Sequence, residues 1–207
     1  MKIPQFSICM LLVLLFSACG TTNINRRAAD QELLEEGTDA YERGDYAEAW
    51  WQLAPLAERG DALAQTKLGN MYYLGLGVPE DDREAAKWFG RAADQGDAEA
   101  QIMLGTLYVL GTGVPQDYAA AVRLFRMPAE LGIGGAQFLL GMLYMNGNGV
   151  PQDPELAYTW MELAVRRGSK AAREARLILS ERLTPEQVAR ATAMADAWKP
   201  GQTIKRK

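Results

Sequence analysis

The sequence contains no histidine, and its two cysteines, Cys9 and Cys19, both lie close to the N-terminus. Histidine is the commonest general base and the commonest transition-metal ligand, so most catalytic and metal sites lose their usual side chain. No P-loop, dinucleotide-binding glycine motif or Gly-x-Ser-x-Gly motif occurs. Cysteine–histidine catalysis and the ordinary zinc sites are therefore excluded, and the sequence predicts a protein that is not an enzyme and uses no cofactor or metal.

The chain also lacks a basic excess. It has 22 lysine and arginine residues against 26 aspartate and glutamate residues, which gives a formal net charge of −4. Nucleic-acid binding requires a basic surface, so no nucleic-acid partner is predicted. The many acidic residues leave a glycosidase with paired carboxylates open. Residues 199–207 are predicted to form a basic tail, and its last three residues, Lys205 to Lys207, are interpreted either as a solvated end or as a weak contact with anionic lipid or glycan.

Residues 1–18 have the layout of a secretory signal peptide. Lys2 precedes an apolar run at residues 8–16, which is too short to span a bilayer, and two small residues follow. The junction Phe16-Ser17-Ala18-Cys19 resembles the bacterial lipobox, in which the cysteine is lipidated and becomes the first residue of the mature protein. The resemblance implies lipidation at Cys19. The alternative is ordinary signal-peptidase cleavage, which would leave a soluble periplasmic or secreted protein.

Acyl chains on Cys19 would hold the protein at a membrane, because each buried methylene contributes about 0.8 kcal/mol. The next residue is Gly20 rather than aspartate, which in Gram-negative lipoproteins favours transfer to the outer membrane. The resemblance thus implies an outer-membrane lipoprotein of the cell envelope that faces the periplasm. The following residues are polar and lack apolar periodicity, so residues 19–30 are predicted to be the lipidated cysteine and a flexible tether.

Residues 62–169 consist of one unit written three times without an insertion. The blocks are 62–97, 98–133 and 134–169, and their motifs recur every 36 residues. Because each unit of such an array buries its apolar face only against its neighbours, one elongated domain is expected. In the first block the recurring residues are Leu68, Gly69, Tyr72, Gly75, Gly77, Val78, Pro79 and Asp81.

These motifs resemble the Sel1-like repeat (SLR), a relative of the tetratricopeptide repeat (TPR). The resemblance implies an all-α fold, a right-handed α-solenoid of paired antiparallel helices. Disulfide-rich SLR proteins carry a cysteine pair in each repeat, whereas these repeats have none, so stacking must supply the stability. Residues 31–61 are expected to form a divergent N-terminal TPR-like helical pair, and residues 170–198 a pair of C-terminal capping helices.

Each repeat is predicted to form a helix A, a glycine loop and a helix B. Three aspartates stand where they can cap helix B, because a carboxylate accepts the unpaired N–H groups of a first turn. Glu84 and Gln187 are the predicted partners in capping boxes. Helix A of the first repeat is expected at residues 62–74. The three predicted caps are Asp81, Asp117 and Asp153.

The second repeat departs from the pattern at Pro128, where the other copies have alanine. Proline lacks an N–H and clashes with the preceding turn, so the sequence predicts a kink or an early end of this helix. Residues 128–135 are accordingly interpreted either as a hinge or as a tolerated defect.

Helix A of each repeat has a second row of side chains opposite its buried stripe. We predict this row to be a partner-binding groove on the concave face of the solenoid. The row becomes more apolar toward the C-terminus, which suits an apolar peptide or helix. The alternative is that these side chains pack against the next helix. The row consists of Thr66, Asn70, Tyr73, Ile102, Thr106, Val109, Phe138, Met142 and Met145.

The resemblance implies a non-catalytic scaffold or adaptor of the cell envelope that binds an unidentified envelope protein or peptide. A second interpretation is an accessory lipoprotein that binds glycan or peptidoglycan through tyrosines such as Tyr73 and Tyr118. A third is a hydrolase of the β-lactamase type, as proposed for disulfide-rich SLR proteins, which the missing cysteine pairs disfavour.

Overall fold

The computed structural model describes residues 26–204, and within this range the chain forms ten α-helices and no strand. Residues 26–43 are helical and form α1. The other nine helices are thirteen residues long each. They are α2 (Tyr46–Glu58), α3 (Ala62–Leu74), α4 (Asp82–Asp94), α5 (Ala98–Leu110), α6 (Tyr118–Glu130), α7 (Gly134–Asn146), α8 (Pro154–Arg166), α9 (Lys170–Arg182) and α10 (Pro185–Ala197).

The helices alternate between two types, as predicted for an all-α helical repeat solenoid. The A helices are α3, α5, α7 and α9, and the B helices are α2, α4, α6, α8 and α10. From α2 to α9 each helix packs on the next one along the chain. The last helix differs, because α10 makes its main contact with α8 rather than with α9. The chain therefore turns back over the B side of the array at its C-terminal end.

The predicted caps of helix B are confirmed. The side chain of Asp81 accepts hydrogen bonds from Arg83 N at 2.9 Å and Glu84 N at 3.1 Å. Asp117 and Asp153 cap α6 and α8 in the same way. These bonds satisfy first-turn N–H groups that have no partner within the helix.

One of the two predicted capping boxes is present. Thr184 N donates to Gln187 Oε1 at 2.8 Å, and the backbone N–H of Gln187 donates back to the Thr184 hydroxyl. The other prediction is wrong, because the carboxylate of Glu84 pairs with Lys87 one turn further along the helix. The ammonium group is a charged partner within reach, so the carboxylate turns away from the start of the helix.

Glycine loops fix the register between units. The Cα of Gly113 lies so close to the start of α4 that an added Cβ would be 2.1 Å from Asp82 O. One repeat later the same contact recurs, where a Cβ on Gly149 would be 2.4 Å from the carbonyl carbon of Tyr118. Both glycines also have positive φ, 69° and 71°. A side chain at either position would both strain the loop and push the two units apart.

A and B helices pack closely because helix A carries glycine beneath a phenylalanine of helix B. Cβ atoms built on Gly69 and Gly105 would each lie 2.5 Å from the ring of Phe89 and Phe125, respectively. Both phenylalanines are completely buried. In the first two repeats, the glycine of the Leu-Gly pair therefore makes room for the largest side chain that is completely buried.

A recurring buried glutamine ties each repeat to the unit before it. Gln65 Nε2 donates to Ala57 O at 2.9 Å, and Gln137 Nε2 donates to Ala129 O at 3.1 Å. Gln101 makes the corresponding bond to Ala93 O at 3.2 Å. In each case the acceptor belongs to the last turn of the preceding B helix, whose carbonyl groups lack partners within the helix.

The structure corrects the predicted tether boundary. Residues 26–30 belong to α1, and Asp30 Oδ1 lies 2.6 Å from an Nη atom of Arg59. The polar composition of this stretch is that of an exposed helical turn, which apolar periodicity does not reveal over so few residues. Residues 19–25 of the predicted tether, the predicted signal peptide and Cys19 lie outside the described residues.

Pro128 does not end its helix early. The helix α6 continues to Glu130 and has the same length as the other B helices. The proline lies in the last turn, so only one hydrogen bond, that to the carbonyl of Leu124, is lost. The expectation of an early end is therefore wrong, and the hinge at residues 128–135 stays a prediction.

The C-terminal segment does not extend into solvent as a free tail. The backbone N–H of Gly201 donates to Glu130 O at 2.7 Å, and Trp198 Nε1 donates to Gln202 O at 2.8 Å. Ile204 packs against the core beside α6, α7 and α8. Residues 199–203 are exposed but are held against the array by these contacts, and the basic end at residues 205–207 lies outside the described range, so its interpretation stays a prediction.

Candidate docking surfaces

The predicted groove on the A helices is partly built into the contacts between repeats. Thr66 is completely buried, and its hydroxyl lies 3.0 Å from both Ala62 O and Asp97 Oδ1. A partner cannot reach this side chain, so Thr66 is removed from the predicted surface. Its neighbour Asn70 is half-buried and donates to Glu99 Oε1 at 2.8 Å. Small polar side chains on this row serve as contacts between α3 and α5.

The remaining members of the row are all half-buried. Tyr73 packs against the core shared by α4 and α5. Thr106 donates to Ile102 O at 2.8 Å, within its own helix. The larger apolar members follow the order of the repeats. Ile102 and Val109 pack against the core of α6, α7 and α8, whereas Phe138, Met142 and Met145 pack against the core of α8, α9 and α10.

The increase in apolar character toward the C-terminus thus coincides with packing against later helices, which agrees with the structural alternative. Each of these side chains still exposes part of its surface. Leu74 and Leu110, which the sequence analysis did not select, are 56% and 55% exposed at the ends of α3 and α5. They follow Tyr73 and Val109 in the chain, so α3 and α5 each expose an apolar side chain at the C-terminal end of the helix.

The two tyrosines considered for glycan stacking are not free rings. Tyr73 and Tyr118 are each half-buried and pack against buried clusters. Each ring is therefore partly covered by the cluster that it packs against.

A second surface lies on the B side at the N-terminal end, and we call it the Trp cleft. It is a depression of about 440 Å³ between α2 and α4, with α3 as its floor. Trp51 on its rim is 72% exposed, the most exposed large apolar side chain in the described range. The cleft is lined by Trp50, Trp51, Ala54, Pro55, Glu58, Leu68, Tyr72, Glu84 and Trp88.

The Trp cleft already holds one guanidinium group at its edge. The Cζ atom of Arg91 lies 4.5 Å from the centre of the Trp88 ring, and its Nη1 atom is 3.3 Å from Glu58 Oε2. The ring centres of Trp50 and Trp51 are 5.8 Å apart and meet edge to face. The cleft therefore combines indole surfaces with carboxylates, a set of groups that suits apolar and cationic side chains.

Sequence reasoning missed the Trp cleft because it treated residues 31–61 only as a divergent repeat. The sequence does indicate the cleft when Trp51 is compared with the same position in the later repeats. The positions one and two repeats after Trp51 hold Lys87 and Arg123, both exposed and charged. A tryptophan where the later units place a charge predicts an exposed aromatic side chain.

The corresponding groove at the other end of the array is occupied. The residues 72 positions beyond those of the Trp cleft lie on α6, α7 and α8, and Trp160 takes the place of Trp88. Ala195 of α10 belongs to the same buried cluster as Trp160, and Trp198 and Ile204 pack against that cluster. The chain's own C-terminal segment thus covers the copy of the groove that lies two repeats after the Trp cleft. We call this copy the C-terminal groove.

Ion pairs hold the covering helix in place. Arg166 of α8 lies 3.0 Å from Glu162 Oε1 and 2.6 Å from Asp196 Oδ1 of α10, and Arg176 of α9 also pairs with Glu162. Burial raises the pKa of Glu162, but the hydrogen bonds from Arg176 and Arg166 outweigh it and hold the pKa below its usual range. A second pair joins Glu155 to Arg190 of α10 at 2.7 Å.

Among residues 26–204 there is no cluster of three or more aspartate, glutamate, histidine or cysteine side chains that could hold a metal ion. None of the helices in this part of the chain has both the length and the apolar character needed to cross a membrane.

The alternating short helices, the glycine loops and the 36-residue period define a TPR-like helical repeat protein. The model of the Sel1 repeat family matches residues 62–97, 98–133 and 135–169. The chain therefore belongs to the Sel1 repeat family. Proteins of this family generally serve as scaffolds for protein interactions and are typically not catalytic.

Solved structures with the same fold support this assignment. A Sel1 repeat protein from Oxalobacter formigenes is 27% identical with a TM-score of 0.68, over 78% of this chain and 69% of that one. A protective antigen of uropathogenic Escherichia coli strains, which displays an SLR fold, is 32% identical with a TM-score of 0.66. That match covers 77% of this chain but only 38% of the antigen. No curated protein sequence matches the chain.

Proposed function

We propose that the chain is an adaptor of the bacterial cell envelope, held at a membrane by lipid on Cys19, that docks a partner protein on its repeat array. The scaffold role of the family supports the binding function. The observation that supports a docking surface is the exposed apolar residues at the ends of α3 and α5. There Leu74 and Leu110 follow the half-buried Tyr73 and Val109 in the chain. Exposed apolar side chains in neighbouring repeats mark an interaction site.

Photo-crosslinking in intact cells tests the docking surface. A photoreactive residue is placed in turn at Tyr73, Val109 and Met145, and a matched control is placed at the exposed Arg123 on the B side. We expect one discrete protein adduct from at least two of the three positions and none from the control. If a folded protein gives no adduct at any of the three, the A-side docking surface is disproved.

The membrane anchor is tested separately by Cys19→Ser. The substitution removes the thiol that the acyl chain needs, so we expect the protein to move from the membrane fraction to the soluble periplasmic fraction. Fractionation with and without high salt measures this. A variant that stays with the membrane at high salt rules out lipid anchoring through Cys19.

A further inference from the structure

We propose that the Trp cleft binds a short basic peptide segment of a partner protein, which inserts an aromatic or large aliphatic side chain between α2 and α4. The inference rests on the proposed function as an adaptor and names a second surface and the chemistry of its partner. It is carried by three observations: the exposed aromatic rim, the occupied copy of the same groove, and the charge around the cleft.

The first observation is the exposed aromatic surface. Trp51 leaves 72% of its surface in water, although tryptophan is usually well buried. Together with Trp50, Pro55 and Tyr72 it lines a depression rather than a flat face. A concave apolar site with a few polar groups is the usual form of a binding site, and tryptophan is the side chain that most often dominates binding affinity.

The second observation is that the chain shows what occupies such a groove. In the C-terminal groove the occupant is a peptide segment that leaves the end of a helix and continues without regular structure. It contributes an aromatic side chain, Trp198, an aliphatic one, Ile204, and a backbone N–H from Gly201 that binds the last turn of α6. The Trp cleft has the same framework of two B helices and one A helix two repeats earlier, so a peptide segment can enter it in the same way.

The third observation is the charge. Glu84 of the Trp cleft stands where the C-terminal groove has Leu156, so the open site carries an additional carboxylate. Helix α2, which provides one wall, contains two glutamates, Glu48 and Glu58, and no basic residue. Electrostatic complementarity with these carboxylates therefore requires a basic occupant.

The cations that now pair with the lining carboxylates are replaceable. Arg91 and Lys87 are 52% and 65% exposed in their pairs with Glu58 and Glu84. Exposed pairs of this kind contribute little to stability, so an incoming lysine or arginine can exchange with them at small cost. Arg91 on the Trp88 ring also shows that a guanidinium is accommodated at this edge.

The occupant is assigned to another protein rather than to a second copy of this chain. The segment of a second copy that resembles such an occupant is residues 198–204. In each molecule that segment is already held by the bond from Gly201 to Glu130 and by the packing of Trp198 and Ile204. If this segment left its own molecule to fill the Trp cleft of a second copy, the C-terminal groove would be uncovered.

A synthetic peptide with the sequence of residues 194–207 provides a defined probe, because it carries Trp198, Ile204 and four basic residues. It is labelled with fluorescein and titrated with the full chain, and binding is followed by fluorescence anisotropy. We expect saturable binding that weakens with salt. Trp51→Ala should weaken it about tenfold or more, because tryptophan is enriched among the side chains that dominate binding affinity. A peptide with serine in place of Trp198 should lose binding to the same extent.

Two further variants separate charge from apolar contact. Glu58→Gln combined with Glu84→Gln should weaken binding about threefold and flatten its salt dependence, because two charges are removed without loss of shape. Leu177→Ala is the matched control, since Leu177 is an exposed apolar side chain, 63% exposed, on the distant helix α9. It should leave the affinity unchanged. Circular dichroism melting confirms that each variant is folded.

Three outcomes would overturn the proposal. The first is that the peptide fails to bind at about millimolar protein, or binds Trp51→Ala as tightly as the parent chain. The second is that an oligosaccharide of N-acetylglucosamine binds the cleft and the peptide does not, which would assign it to glycan. The third is Trp51-dependent self-association in sedimentation, which would assign it to a second copy. None of these changes the crosslinking result at Tyr73, Val109 and Met145, so the adaptor proposal is judged independently.

Discussion

The C-terminal groove and the Trp cleft have the same framework of two B helices above one A helix, but they differ in what covers them. In the C-terminal groove, Trp160 is 3% exposed and lies beneath the segment that contains Ala195, Trp198 and Ile204. In the Trp cleft the matching Trp88 is 8% exposed, and Trp51, whose counterpart two repeats later is the exposed Arg123, stands 72% exposed on the rim. The repeat thus determines the shape of a groove, whereas the sequence outside the repeats determines whether the chain fills it.

The difference also shows how the array ends. A terminal unit has a neighbour on one side only, so its outer surfaces must be covered or polar. At the C-terminal end, α10 and residues 198–204 cover the B side, and ion pairs with Arg166 and Glu155 hold the cover in place. At the N-terminal end, α1 and α2 are strongly acidic but leave tryptophan exposed. The chain covers its C-terminal end, whereas at the other end of the described residues the Trp cleft stays open.

The largest expected effect on stability is a difference between Trp160 and Trp88, the two tryptophans that share a repeat position. Trp160→Ala should lower the free energy of unfolding by about 4 kcal/mol, because it leaves a cavity under the C-terminal segment. Trp88→Ala should cost about 1 kcal/mol less, since the edge of its ring borders the open cleft and water can enter. Urea unfolding of both variants measures the difference. Equal losses would mean that the two grooves are equally closed.

Removing the cover should be the next largest effect. Trp198→Ala deletes a half-buried side chain that packs on the core beside α6 and α8, and we expect a loss of about 2 kcal/mol. Hydrogen exchange at residues 128–135 should become faster, because the bond between Gly201 and Glu130 braces that seam. Lys199→Ala, at the next and exposed position, is the control. Unchanged exchange would show that the segment does not brace the seam.

Acid should loosen the covered end through Glu162. Its pKa in the folded protein is lowered, so this carboxylate stabilises the fold above its unfolded pKa and the contribution is lost as the pH falls through the folded pKa. Glu162→Gln should therefore flatten the decline of unfolding free energy between about pH 6 and pH 3. The exposed Glu181→Gln on α9 serves as the control. An identical acid profile for the parent chain and Glu162→Gln would contradict the role of this carboxylate.

The smallest effect on stability is expected at the open end. Trp51→Ala should change the free energy of unfolding by about 0.5 kcal/mol or less, because most of the side chain is already in water. The same variant should have the largest effect on peptide binding. Calorimetry measures the effect of Trp51→Ala on stability, and the anisotropy titration measures its effect on peptide binding. A stability loss of about 2 kcal/mol would show that Trp51 belongs to the core and that the cleft is not a docking site.

Several features of the fold could be predicted because they depend on residues close together in the chain. Helix A of the first repeat occupies Ala62–Leu74 as predicted, and Asp81 caps α4 by accepting a hydrogen bond from the backbone N–H of Glu84, only three residues away. The positive φ of the loop glycines is also a local property. Pro128 was misjudged because a proline in the last turn disrupts one hydrogen bond and leaves the helix otherwise intact.

The candidate sites were harder to predict because exposure is not a local property. Thr66 has the sequence position of a surface residue, yet it is buried by Asp97, which lies 31 residues further along the chain. Phe138 and Met145 look like a groove until α9 and α10 pack against them. Trp51 lies on α2 of the divergent repeat, and within residues 26–204 no helix covers it.

The sequence by itself determined the repeat period, the extent of helix A in the first repeat and the aspartate caps of helix B, because each depends on hydrogen bonds and backbone angles within a few residues. Only the tertiary structure decided which copy of the groove is filled. That depends on contacts such as the bond from Gly201 to Glu130, whose partners lie 71 residues apart in the chain. A contact over such a separation forms only when the stacked repeats bring the C-terminal segment back over α8, and no periodicity in the sequence records it.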